Sequence, residues 1–169
     1  MAAFRTVSSK ASTAWRLPWR EKLWFLIFYP LSGVARLAIL ALPFRVVARF
    51  LGVSVGNRTP VLPATENQER AALRICRVGE IVSRNTPWES KCLVQALMNA
   101  FLLRCYGIPH VVFIGVGKSE NLQDPLKAHA WLQVGQQVTA GRRGHREFTV
   151  LSAYVSETLV ADSGQQATR

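Results

Sequence analysis

Cysteine is scarce in this chain of 169 residues. Cys76, Cys92 and Cys105 are its three cysteines, and no CxxC pair occurs among them. Neither a disulfide framework nor a zinc ribbon is therefore expected. Free thiols suit a reducing compartment, which predicts a cytoplasmic protein. A cleaved signal peptide is not expected, because the apolar run begins only near Leu23, after a long basic leader, and no clear small-residue cleavage site follows it.

Acidic residues are also few. Ten Asp and Glu stand against 21 Lys and Arg, a formal net charge of +11. The excess is concentrated in the first 60 residues, which hold nine cations and a single acid, Glu21. Such a field attracts nucleic acid, anionic lipid or an acidic polypeptide. Nucleic acid is not the predicted partner, because the cations are spread through an apolar segment rather than lined with exposed stacking aromatics.

An apolar run of 22 residues extends from Leu23 to Phe44, close to the length of a membrane span. Arg36 lies in its middle, and Pro30 and Pro43 divide it, so two packed or interfacial helices are predicted instead. Tryptophans and cations mix at its start, as is typical of the headgroup region of a bilayer. These residues are Trp15, Arg16, Trp19, Arg20, Lys22 and Trp24. Three alternatives stay open for residues 15–50: packing on the rest of the chain, contact with a membrane surface, and a true span.

The hydrophobic share of 49%, against 18% charged residues, is that of a folded globular protein, and the length favours one domain with a substantial core. Changes in composition along the chain predict five segments. They are a disordered tail at 1–14, a basic, apolar helical region at 15–51, a turn-rich linker at 52–66, the main domain at 67–158 and a disordered tail at 159–169.

The main domain is predicted to begin with an amphipathic helix over 67–84. In a second helix, Ser90 is the expected N-cap, Cys92 falls in the first turn, and Gly107 followed by Pro109 is the stop. Strand patterns then cover 110–116, 128–134 and 148–155. Helices followed by strands, without βαβ alternation, predict an α+β domain with an antiparallel sheet.

Cys92 and His129 form the candidate catalytic pair. The start of a helix favours the nucleophilic thiolate form of a cysteine, and its free N–H groups also suit the oxyanion formed when a thiolate attacks a carbonyl. An imidazole must take up the proton, and His129 begins a strand-like segment, HAWLQV, that would aim its ring rigidly. A structural cysteine and an ordinary strand histidine are the alternative explanation.

The other cysteines and histidines rank below this pair. Cys76 and Cys105 lie within helical patterns and are assigned to packing. His110 stands at a strand start and His145 in the cationic loop GRRGHR, where histidines are commonly structural. No two candidate ligands have recognisable spacing, so neither a metal nor another cofactor is predicted.

Three sequence segments carry a family resemblance: PWESKCLVQAL at 87–97, YGIP followed by FIGV between 106 and 116, and KAHAW at 127–131. Together they resemble the leader peptidases of bacterial lasso-peptide maturation, the microcin-processing family, over about residues 68–155. The resemblance implies a papain-related, transglutaminase-like fold and a peptidase that cleaves the leader from a ribosomally made precursor peptide. A leader-recognition protein and an ATP-dependent ring-closing synthetase would act beside it. Cys92 would be its nucleophile and His129 its general base.

Three side chains near the pair are candidate cleft residues. Gln95, one turn beyond Cys92, is a possible oxyanion donor or simply a polar residue on the helix surface. Trp88 either lines the cleft or shields the helix start. Trp131 is a wall of the cleft or a core ring.

The sequence departs from the family at one position. The family pattern usually has an Asp about a dozen residues after the His, whereas residues 136–141 here read QQVTAG. That carboxylate orients the imidazole and stabilises its protonated form. Glu147, Asp124 or a backbone carbonyl is the expected substitute, with Glu147 preferred. The alternatives to a peptidase are an acyltransferase using the same pair and a weakly active or inactive peptide-binding protein.

Overall fold

The computed structural model describes residues 18–119 and 125–156. The predicted tails, Trp15, Arg16 and Asp124 lie outside these ranges. The helices are α1 (Trp19–Ala41), α2 (Phe44–Ala48), α3 (Glu66–Asn85) and α4 (Cys92–Cys105). The strands are β1 (Val53–Ser54), β2 (Val111–Lys118), β3 (Leu126–Val134), β4 (Gln137–Ala140) and β5 (Thr149–Val155), with a short 3₁₀ helix at His145–Glu147 before β5.

The predicted break at Pro30 is wrong, because α1 runs through it as one helix of 23 residues. A proline inside a helix has no N–H to donate to the carbonyl four residues earlier, here that of Leu26. Pro30 and Leu26 both lie on the exposed face of the helix. The opposite face is buried against α3 and α4 through Trp24 and Phe28, and this packing offsets the lost bond. Pro43 does interrupt the apolar run, between α1 and α2.

Helix α3 confirms the predicted amphipathic helix and adds a capping box. The Thr65 hydroxyl accepts from the Gln68 N–H at 3.3 Å, and the Gln68 side-chain oxygen accepts from the Thr65 N–H at 2.9 Å. These reciprocal bonds satisfy two N–H groups at the start of the helix. The apolar face of α3, which includes Ala72, Ile75 and Val82, is buried in the core.

Helix α4 starts at Cys92, as expected, but Ser90 does not cap it. Lys91 occupies the cap position without a side-chain hydrogen bond, and the Ser90 hydroxyl instead lies 3.0 Å from that of Thr86. The predicted stop is confirmed at Gly107, whose φ of +61° suits glycine. The Ile108 N–H, 2.9 Å from the Leu103 carbonyl, closes the end of the helix.

The sheet is antiparallel throughout, in the order β1-β5-β2-β3-β4. Helices α1 to α4 contribute to one core together with the sheet residues Val112, Leu132 and Tyr154. Alternate strand residues form a smaller cluster on the other face, including Phe113 and Trp131. The predicted α+β fold is confirmed. Strand β1, which pairs with β5, lies within the segment 52–66 that was predicted to be a linker.

Candidate active site

Cys92 is the first residue of α4 and is partly buried. Within residues 18–119 and 125–156, no side-chain hydrogen bond caps the start of this helix. The thiol therefore lies in the first turn of α4, whose N–H groups have no intrahelical partner. These donors have the chemistry needed to hold an oxyanion.

His129 lies within β3, opposite Gly115 of β2. Its Nε2 is 2.9 Å from the carbonyl oxygen of Gly141. Because a carbonyl only accepts, Nε2 carries the proton, and Nδ1 is the basic nitrogen of the neutral ring. The ring also packs on two aromatic rings, with centroid distances of 6.1 Å to Trp131 and 4.9 Å to Phe148.

Gly141 holds this carbonyl in place because no larger residue fits there. Its φ is +68°, and a Cβ would lie 2.5 Å from the Ala130 carbonyl oxygen and 2.9 Å from the Trp131 Cα. Gly141 is twelve residues after His129, where the resembling family carries its Asp. A backbone carbonyl, one of the three expected substitutes, thus bonds to His129, and its orienting role stays a prediction. The preferred substitute, Glu147, instead pairs with Lys127 at 3.4 Å from its Oε2 to Nζ.

A cavity of about 300 Å³ brings His129, Gly141 and Gln95 together. Its lining also includes Cys76, Glu80, Thr139, Ala140, Arg142 and Arg143. Cys92 is not among the lining residues. Between these two described side chains, Cys92 and His129, no hydrogen bond forms. The structure therefore brings Gln95 and His129 to one cavity and leaves the thiol and the imidazole unpaired.

The remaining cleft candidates have structural contacts. The Gln95 Nε2 donates to the Ser90 carbonyl at 3.0 Å, which uses one of its two N–H groups and ties the side chain to the start of α4. The Trp88 Nε1 donates to the Ser32 hydroxyl at 3.2 Å, so Trp88 joins the segment before α4 to α1. Trp131 is 6% exposed and stacks on Phe113, as a core ring does.

The other cysteines and histidines differ in exposure. Cys76 is buried, and this burial raises the pKa of its thiol to about 12, which keeps it protonated at neutral pH. Cys105 is exposed at the far end of α4. His110 is fully buried, and His145 is partly exposed. Among the described residues, no three His, Cys, Asp or Glu side chains form a group that could hold a metal ion.

A comparison with known families identifies this arrangement. The model of the transglutaminase-like superfamily matches residues 38–153, which is more than half of the chain. The chain belongs to the transglutaminase-like superfamily. The match begins within α1 and ends within β5, so it includes both Cys92 and His129. No curated protein and no solved structure matches the chain.

Membership of the transglutaminase-like superfamily agrees with the observed fold, in which helices pack on an antiparallel sheet. The matched range covers the whole of α4, β2, β3 and β4. The sequence patterns did not predict β4 or the turn after it. The hydrogen bond from His129 to the Gly141 carbonyl was therefore not predicted either. The signal that was available is the pair of glycines, Gly135 and Gly141, which bracket the short strand.

Proposed function

We propose that this protein is a cysteine peptidase that removes the leader from a ribosomally made precursor peptide, with Cys92 as nucleophile and His129 as general base. The Cys92 thiolate attacks the carbonyl carbon of the peptide bond between leader and core, and the free N–H groups of α4 stabilise the oxyanion. The protonated His129 gives its proton to the departing amine. It then takes a proton from the water that hydrolyses the acyl-thioester.

One observation carries this proposal, the 2.9 Å contact between His129 Nε2 and the Gly141 carbonyl. It holds the ring in a single tautomer, with Nδ1 as the nitrogen that accepts a proton. A carbonyl is neutral, so it stabilises the imidazolium less than a carboxylate does. We therefore expect slower chemistry than with an Asp in this position.

The substrate class and the partners rest on the sequence resemblance at 87–97, 106–116 and 127–131. A precursor peptide would be presented by a leader-recognition protein and passed on to a ring-closing synthetase. The acidic or basic character of the leader matters for binding, because Arg142 and Arg143 line the cavity beside His129. An acidic residue near the cleaved bond would complement them.

The thiolate–imidazole pair is tested by alkylation with iodoacetamide, read by peptide mass across pH in wild type and His129→Ala. We expect Cys92 to react faster than Cys105 below about pH 8, where an unperturbed thiol is mostly protonated. His129→Ala should remove that advantage. Cys105, exposed at the other end of the same helix, is the internal reference, and the buried Cys76 should stay unmodified. Equal rates at Cys92 and Cys105 in both proteins would contradict the pair.

The reaction is tested with a candidate precursor peptide, chosen from a short reading frame beside this gene where one is found. Wild type should release the leader, and Cys92→Ala should fold normally without cleaving. A Cys92→Ala protein that still cleaves the precursor would contradict the proposal. Adding a primary amine separates hydrolysis from acyl transfer, since an amide-linked product has a different mass from the free acid.

A second candidate is a peptide-binding protein with little or no catalysis. The unpaired state of Cys92 and His129 favours it, as does the neutral group that orients His129. In that case Cys92 alkylates like Cys105, while the precursor still binds. Fluorescence anisotropy with labelled precursor, run beside the cleavage assay, distinguishes the two functions.

A further inference from the structure

Helix α1 is apolar on both faces, although only one of them is packed. The buried face carries Trp24, Phe28 and Ala35. The opposite face exposes large apolar side chains along the whole helix, and Leu26 is 69% and Leu37 67% exposed. The other exposed side chains of this face are Trp19, Leu23, Ile27, Val34 and Leu40, and the apolar surface continues through Leu42, Phe44 and Phe50.

The buried face is held to the domain by specific polar bonds as well as by packing. The Trp24 Nε1 donates to the Tyr106 hydroxyl at 2.8 Å, and Arg36 pairs with Glu89 at 3.3 Å. Phe28 has no exposed surface at all. The helix therefore lies along the domain, and crossing a bilayer would require it to leave these contacts. Its length and composition alone would allow such a span.

The exposed charged residues of α1 and α2, and Arg49 directly after α2, are of one sign. Arg20, Arg45 and Arg49 are exposed, and the Arg20 guanidinium lies 5.6 Å from the Trp19 ring centroid. Within the described part of the first 60 residues, Glu21 is the one acid, and it is buried. A second copy of this chain docking through the same face would bring like charges together. An anionic lipid surface instead satisfies both the apolar side chains and the cations.

We infer that the outer face of α1, with Phe44 and Phe50, binds the surface of an anionic lipid bilayer, the helix lying in the plane of the membrane. Trp19 and its neighbouring cations take the headgroup region, and Leu26 and Leu37 enter the acyl boundary. An apolar cavity of about 240 Å³ between α1, α2 and α4 extends this surface as far as Phe101. The inference does not depend on the proposed peptidase activity.

The test is sedimentation of the full chain with vesicles of phosphatidylcholine alone and of phosphatidylcholine mixed with phosphatidylglycerol. We expect binding to the mixed vesicles that weakens with salt. The double variant Leu26→Gln, Leu37→Gln should lose at least about tenfold in apparent affinity, because two apolar side chains no longer enter the bilayer. Leu151→Gln, at a residue 53% exposed on β5, is the matched control and should bind as wild type does. Circular dichroism checks that all three proteins are folded.

Three outcomes would overturn the inference. One is equal binding to both vesicle types or to neither. Another is a concentration-dependent dimer that the Leu26→Gln, Leu37→Gln variant abolishes, without any vesicle binding, since the face would then join two copies. The third is retention of the expressed protein in membranes after alkaline carbonate extraction, which would mean that α1 spans the bilayer. Release by carbonate, together with phosphatidylglycerol-dependent binding, supports it.

Discussion

At the scale of single residues, His110 has a pKa that is shifted mainly by burial. It is fully buried just before β2, where its Nδ1 lies 2.9 Å from the Ile108 carbonyl oxygen. Its Nε2 has no hydrogen-bond partner among the described residues. Burial lowers the pKa of His110 to about 4, since a charged imidazole would lose its hydration there. Arg104 acts in the same direction, while the bond to Ile108 opposes it.

This pKa predicts a loss of stability in mild acid. In the unfolded chain His110 takes up its proton near pH 6.5, whereas in the folded protein it does so near pH 4. Above about pH 6.5, His110 is neutral in both states and does not lower the free energy of unfolding. As the pH drops to about 4, this free energy falls by about 3 kcal/mol. His110→Asn keeps a side-chain donor but does not titrate, so it should flatten this part of the profile. Urea denaturation at a series of pH values measures it.

The control is His145→Asn, at a partly exposed site in the turn before β5. It should keep the acid-dependent loss, because His110 is still present. An identical loss of stability in His110→Asn and in wild type would assign the effect to other groups.

At the scale of elements, the turn after β4 determines where His129 points. Gly141 and Gly144 share a φ of +68°, but their surroundings differ. A Cβ at Gly144 would meet nothing closer than 3.5 Å, the Glu147 Oε1, whereas at Gly141 it would meet the backbone of Ala130 and Trp131. Substitution of Gly144 therefore tests the cost of a left-handed conformation alone. Substitution of Gly141 adds the clash of a Cβ with the backbone of Ala130 and Trp131.

Gly144→Ala should lower the free energy of unfolding by about 1–2 kcal/mol, the cost of a left-handed conformation for a residue with a Cβ. Gly141→Ala should lower it further, and it should also displace the carbonyl that holds His129. We expect the Cys92 alkylation advantage to survive in Gly144→Ala and to disappear in Gly141→Ala. Equal effects of the two changes on stability and on alkylation would mean that the Gly141 carbonyl has no special role.

Regular elements were predictable where the signal is local. Helices α3 and α4 and the strands β2, β3 and β5 follow from periodicity and from stop residues such as Gly107. Strands β1 and β4 have two and four residues, and they form because a neighbouring strand offers a free edge, which no local pattern shows. The capping role of Ser90 failed because its hydroxyl bonds to Thr86. No local pattern showed that α1 continues through Pro30, because packing on α3 and α4 stabilises the helix there.

For the candidate site, the sequence indicated the residue types but not how they meet. Cys92 at a helix start was predictable from the pattern around it. The bond from Gly141 depends on β4 and on a close backbone approach, and neither is visible in a single sequence. The roles of Cys92 and His129 stay predictions, to be decided by alkylation and cleavage.

At the scale of the whole molecule, α1 belongs to the same core as α3, α4 and the sheet. Trp24, Phe28 and Ala35 of α1 form one cluster with Leu51, with α3 and α4, and with the sheet. The superfamily match begins only at residue 38, so the first part of α1 adds to the core from outside the matched range. The alternative is that α1 docks on an independent domain that begins after the predicted linker at 52–66. Stability measurements decide between these views.

Two substitutions on α1, one at a buried and one at an exposed residue, distinguish these two possibilities. Phe28 has no exposed surface and Leu26 is 69% exposed, two residues away on the same helix. Phe28→Ala should lower the free energy of unfolding by about 3–5 kcal/mol, because it leaves a cavity in the shared core, while Leu26→Ala should change it by less than about 0.5 kcal/mol. If α1 is part of one cooperative unit, denaturation of Phe28→Ala shows a single transition moved to lower urea. If α1 merely docks on an independent domain, the main transition stays where it is in wild type and only a small helical signal melts earlier.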